Sequence, residues 1–166
     1  MVRVFISYAS EDRPGAERLA HALAQSGFAV WWDRKIPLGS SFDQVIEENL
    51  AQADCVLVLW TASSVQSRWV RAEASEAAAR EVLIPVLMEP ELRIPLEFRL
   101  LQAANLSGWS GDAQHAVAQL NQVCDEGLFE PGCDRRTDVA PLANSSHFNH
   151  FRKSLQVFAI SDRLFT

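Results

Sequence analysis

Between Asp54 and Thr61 the chain reads Cys55-Val56-Leu57-Val58-Leu59-Trp60, apolar at every position. A strand with one face in water alternates apolar and polar residues, whereas a strand covered on both faces has no polar side to show. This run therefore predicts a strand in the middle of a sheet with helices packed on both sides. Two more segments read as strands of the same sheet: Val2 to Tyr8, and Val82 to Met88.

The intervening stretches carry a helical period. After the polar turn Ser10-Glu11-Asp12-Arg13, Pro14 suits a first helical turn, where its missing N–H is not needed. Ala16, Leu19, Ala20 and Leu23 follow at i, i+3, i+4 and i+7, and Gly27 ends the helix. Phe28 to Trp32 is the second strand, and Arg34 to Ser41 is a loop punctuated by Pro37 and Gly39. Further helices are expected over Phe42 to Ala51 and Trp69 to about Arg80. A last helix is marked by Ala113, Ala116, Val117, Leu120 and Cys124. Pro90 and Pro95 make 89–99 irregular or a short helix, and Leu101 to Leu106 is the expected fifth strand. Strand and helix alternating five times imply an α/β fold: a five-stranded parallel sheet sandwiched by helices, flavodoxin-like, with order 2-1-3-4-5.

Composition bounds the rest. A chain of 166 residues that is 48% hydrophobic is one globular domain with at most a short appendage, able to hold a core without disulfide or metal. The three cysteines form no CxxC pair, so they read as free thiols in a reducing compartment. Cys133, His147 and His150 are near in sequence, but surface positions suit them better than a zinc site. No apolar run reaches the length of a membrane span and the N-terminus lacks a signal-peptide pattern, so a cytoplasmic chain with no membrane contact is expected. A net charge of −6 argues against nucleic acid as a partner, because that affinity comes largely from neutralising phosphates.

In a parallel sheet of this type ligands bind outside the carboxyl ends of the strands. The loops expected there collect six (Arg13, Arg34, Lys35, Arg68, Arg93 and Arg99) of the ten basic residues in 1–127. That rim suits a phosphate-bearing ligand, or is the ordinary polarity of loops. No GxGxxG or P-loop pattern is present. On the third helix Trp69 and Glu73 stand at i, i+4 near the N-terminus, with Glu76 and Arg80 continuing that face. Two readings stay open. The face is a solvated charged surface with Glu73 supporting the helix dipole, or the indole and carboxylate form the wall and floor for a flat cationic ring.

Several spaced segments together resemble the Toll/interleukin-1 receptor (TIR) domain family, particularly its bacterial members. They are Val4-Phe5-Ile6-Ser7-Tyr8 with Glu11-Asp12, and Trp31-Trp32-Asp33-Arg34 through Gly39 to Phe42. Trp69-Val70-Arg71-Ala72-Glu73, Ile84-Pro85-Val86 and Leu106-Ser107-Gly108-Trp109 complete the set. The resemblance implies one of two activities. The first is cleavage of NAD+ at the nicotinamide–ribose bond, giving nicotinamide and ADP-ribose or a cyclic isomer. That activity would be switched on by oligomerisation and would serve bacterial defence, virulence or signalling. The second is a non-catalytic scaffold that assembles with other TIR domains. It further implies Glu73 as the catalytic residue and Tyr8, Ser10, Phe42 and Trp69 as substrate contacts. The loop bearing Asp33, Arg34, Lys35, Pro37 and Gly39 would be a gate and assembly element. NAD+ enters as substrate rather than cofactor, and no metal is implied.

The resemblance ends near residue 127. Residues 1–127 carry a net charge of −7 and residues 128–166 a net charge of +1. Residues 129–144 read as a linker, and Phe148, Phe151, Leu155 and Phe158 fall at helical spacing. A helix there packs on the domain, mediates oligomerisation, or is the stub of a longer chain.

Overall fold

The structure, a computed structural model, describes residues 1–33, 42–126, and 151, 153 and 154. The sheet forms from β1 (Arg3–Ser7), β2 (Ala29–Trp31), β3 (Cys55–Trp60), β4 (Leu83–Leu87) and β5 (Ala104–Asn105). All neighbours pair in parallel, in the order β2-β1-β3-β4-β5. The helices are α1 (Arg13–Gln25), α2 (Phe42–Gln52), α3 (Arg68–Ala79) and α4 (Ala113–Glu126). The α/β, flavodoxin-like fold expected from the sequence is the one observed.

The alternation of side chains along each strand sorts the core into two layers. Val4, Ile6, Tyr8, Leu57 and Leu59 face one way and pack with α1 and α4 through Leu19, Leu23, Val117 and Leu120. Phe5, Val56, Val58 and Trp60 face the other way, onto Ile46 and Leu50 of α2 and Val70, Ala74 and Ala77 of α3. Small residues on α3 let that helix lie close to the sheet. Every residue of β3 is buried, as the apolar run requires.

Helix ends follow local chemistry. Pro14 sits in the first turn of α1, and Gly27, just past its end, takes φ +86°, a conformation that side-chain-bearing residues rarely adopt. Ser67 caps α3, its side chain accepting a hydrogen bond from the Val70 N–H.

Several strands are shorter than expected, the second contracting from Phe28–Trp32 to Ala29–Trp31, and the fifth departs most. The strand anticipated over Leu101 to Leu106 contracts to Ala104–Asn105. The chain before it forms a 3-10 turn at Leu96–Phe98, continued by a bond from Leu101 N–H to Phe98 C=O. Phe98 is buried with its ring 5.4 Å from that of Trp60. Anchoring this ring holds the preceding residues in a turn and leaves only two to pair with β4.

Candidate active site

Ser7 is the last residue of β1, in register with Val58 of β3. Being odd in the alternation, it points with Phe5 toward the α2–α3 layer. Glu73, one turn into α3 from Trp69, points down from the helix to meet it. Only 4% of Glu73 is exposed, and its carboxylate oxygen Oε2 accepts a hydrogen bond from the Ser7 hydroxyl. Burying a carboxylate costs heavily unless it is hydrogen-bonded, so this contact is a condition for Glu73 lying where it does. The solvated charged face held open from the sequence is thereby corrected for Glu73: the helix turns this carboxylate inward.

Trp69 remains 39% exposed. It stands with Glu73 at a cleft of about 450 Å3 between α2 and α3, with Ile46, Leu50 and Ala51 on the α2 side. Glu47 and Glu76 reach the same cleft, and among the described residues no basic side chain lines it. Arg80, at the end of α3, spans to the end of α2, donating to the carbonyls of Leu50 and Ala53. Those carbonyls lie at the C-terminal end of α2, where the Leu50 carbonyl also accepts from the Ala53 N–H, and a guanidinium there meets the negative end of the helix dipole. The two walls are thus tied together at the end away from Trp69. Such a cleft, with apolar and acidic side chains on both walls and a partly exposed indole at its edge, suits a flat cation.

The other anticipated residues are placed differently. Tyr8 is buried in the α1–α4 layer and does not line the cleft. Ser10 is exposed at the start of a 3-10 turn, Ser10–Asp12, beyond the carboxyl end of β1. Phe42 opens α2, and its side chain lies outside the described residues, as do Arg34, Lys35, Pro37 and Gly39. Asp33 accepts a 2.9 Å bond from Arg13, whose guanidinium also lies 5.2 Å from the centre of the Trp32 ring. Arg99 donates to the Ile94 carbonyl. Two cations of the basic rim are therefore committed to local contacts. Cys133, His147 and His150 fall outside the described residues.

Ser7 was not singled out from the sequence, although its signal was there. It is the polar residue that follows the apolar run Val4-Phe5-Ile6, in the phase that faces α3. The α2 wall carried no comparable signal, because Ile46 and Leu50 are ordinary core positions of an amphipathic helix.

A second polar cluster sits on the α1 side. The Thr61 hydroxyl donates to Asp12 Oδ2 at 2.7 Å, and Glu89 accepts from the Ala62 N–H at 3.1 Å. Burial lifts the Asp12 carboxyl above its ordinary range; the Thr61 bond opposes this, and the charges of Glu89 and Glu11 add to the rise. Complete burial pushes the Cys55 thiol far up, so it is a core residue and not a nucleophile. Among the described residues no helix is long and apolar enough to cross a membrane, and no three His, Cys, Asp or Glu side chains are placed to hold a metal.

Comparison with known proteins gives the family. The family model described as "TIR domain" matches residues 4–121. A protein named 2' cyclic ADP-D-ribose synthase BtTIR, from Bacteroides thetaiotaomicron, is 36% identical over 89 residues. That alignment covers 49% of this chain and 31% of the relative, so the chain spans about a third of the relative it matches. The crystal structure of the TIR domain of the Toll-related receptor TRR-2 from Hydra magnipapillata superposes with a TM-score of 0.59 at 19% identity. The overlap covers 74% of this chain and 95% of that one. At that identity the likeness speaks for the fold alone. Sheet order, the span of the family match and a bacterial relative lead to one conclusion: this chain belongs to the TIR domain family.

Proposed function

We propose that this chain cleaves NAD+ at the bond between nicotinamide and ribose, with Glu73 as the catalytic carboxylate and Trp69 as the wall against the pyridinium ring. The observation that carries the reading is the buried Glu73 carboxylate beside the partly exposed Trp69 indole in a cleft that Glu47 and Glu76 also line. The relative named as a cyclic ADP-ribose synthase supports it, since a cyclic ADP-ribose has the composition of NAD+ without its nicotinamide.

One carboxylate is enough for this chemistry. Glycosidases need a second acid to protonate a poor leaving group. Nicotinamide in NAD+ is already cationic and leaves as a neutral molecule with the bonding electron pair. Positive charge then develops on the ribose as an oxocarbenium ion. A carboxylate fixed in a poorly hydrated site stabilises that charge or holds the ribose hydroxyls. Capture by water gives ADP-ribose; capture by a nucleophile of the adenosine half gives a cyclic product.

The α2 and α3 walls enclose one end of a dinucleotide. Ser10, Phe42 and the segment from Asp33 through Gly39 complete the proposal as further ribose or ring contacts and as the gate. Self-association through that segment supplies the remaining wall, and a role in defence, virulence or signalling follows from consuming NAD+ or releasing a nucleotide product. The test is release of nicotinamide from NAD+ over a range of protein concentrations. Turnover per molecule should rise with concentration, and Glu73→Gln and Glu73→Ala should lower it on the order of 100-fold or more. Activity surviving both substitutions sinks the role of Glu73. No nicotinamide release at any concentration, in assembled as well as monomeric protein, gives the chain to the scaffold class instead.

A further inference from the structure

We propose that Ser7 is a positioning residue for this reaction: its hydroxyl sets the orientation of the Glu73 carboxylate from the sheet side. The inference rests on the reading of Glu73 as catalytic. Ser7 is completely buried at the end of β1, and its surroundings on that face, Phe5 and Val58, are apolar. A fully buried hydroxyl needs a partner within the protein, and this one donates to Glu73 Oε2. An ionised carboxylate can only accept, so the serine donates.

The two residues come from elements of unequal rigidity. Ser7 is held by the parallel ladder, paired through Val58 to the central, fully buried strand. Its hydroxyl is one bond from Cβ, so its position is set almost entirely by the backbone. Glu73 reaches from α3 on a side chain with three torsions, so its carboxylate keeps one orientation only through fixed partners, and Ser7 is one that the sheet supplies. The hydrogen bond thus transmits the geometry of the sheet to the carboxylate. Electrostatic stabilisation of a transition state depends on groups already in place when the charge develops. A reoriented carboxylate would still bind NAD+ but would miss the developing charge at ribose.

Threonine and valine have the same shape and differ at this position by the hydroxyl alone, so Ser7→Thr and Ser7→Val share any packing cost. Steady-state nicotinamide release from the full chain is measured for both, with Ser7→Ala and with melting temperatures recorded for all. Ser7→Val and Ser7→Ala should lower kcat about 10- to 100-fold while KM for NAD+ stays within about twofold. Ser7→Thr should keep kcat within about threefold of the unmodified chain. Introduced into Glu73→Gln, Ser7→Ala should add little further loss, because both changes disable one unit. Equal kcat for Ser7→Thr and Ser7→Val, or full additivity with Glu73→Gln, overturns the proposal. Should Ser7→Val fail to fold, the comparison of Ser7→Ala with Ser7→Thr and the additivity measurement decide. An unmodified chain without turnover, or one indifferent to Glu73→Gln, overturns the catalytic reading and this proposal with it.

Discussion

Glu73 is a buried acid and Asp12 a half-buried one, in very different settings. Glu73 is placed by a helix over a strand-borne hydroxyl, inside a cleft. Asp12 lies at the start of α1, bonded by Thr61 and close to Glu89 and Glu11. Its carboxyl is raised above the ordinary value of 3.8, chiefly by burial. A raised carboxyl binds its proton more tightly in the folded than in the unfolded chain. Its contribution to stability is therefore fully present below about pH 3.8 and is lost as pH rises through the folded value. Asp12→Asn keeps an oxygen for Thr61 and abolishes the titration. The stability of that variant relative to the unmodified chain should rise between pH 4 and pH 7, by about one or two degrees in Tm once solvent screening is allowed for. A difference in Tm that does not vary with pH would assign the effect to something other than this ionisation. Glu97, exposed beside Arg71, works in the opposite sense: the bond from Arg71 lowers its carboxyl, so its small contribution is lost as pH falls. The type and spacing of Trp69 and Glu73 were visible in the chain; their difference in burial was not. Which side of a helix faces a neighbour is settled by packing, and the two residues share a face yet differ in depth.

At the scale of elements, α3 does most to organise the cleft. Ser67 caps its start, small residues seat it on the sheet, and Arg80 ties its end to α2. Trp69 is at the exposed end of this arrangement, so it contributes little to the core. Trp69→Ala should lower nicotinamide release at least about tenfold while costing less than about 1 kcal/mol of stability. An unchanged rate would remove the indole from the site. The elements themselves were largely legible. The apolar run of β3, the period of α1 and the turn residues around them act locally, and local signals survive in a linear sequence. β5 was not legible, because its length depends on Phe98 anchoring against Trp60, a residue far away in the chain.

At the scale of the molecule, two hydrophobic layers share one sheet, and the α1–α4 layer receives a residue from far along the chain. Phe151 is completely buried there, with its ring 5.4 Å from that of Phe28. A side chain well beyond residue 127 therefore belongs to this core, which favours packing on the domain among the roles left open for the tail. Phe151→Ala should destabilise the fold by about 3–5 kcal/mol in urea unfolding, whereas the exposed Lys153→Ala should change it by less than about 0.5 kcal/mol. Equal, small effects for both would show that the ring is not part of the folded core. By itself the sequence determined the class of fold, the order of the elements and the residue types able to meet a cationic ring. These follow from periodicity and turn chemistry, which are properties of neighbours along the chain. Only the tertiary structure decided that Ser7 lies beneath Glu73, that Tyr8 faces the opposite layer and that Arg80 closes the far end of the cleft. Those facts depend on the phase of a strand and the rotation of a helix brought together across many residues. Phase and rotation are chosen by the packing of the whole core.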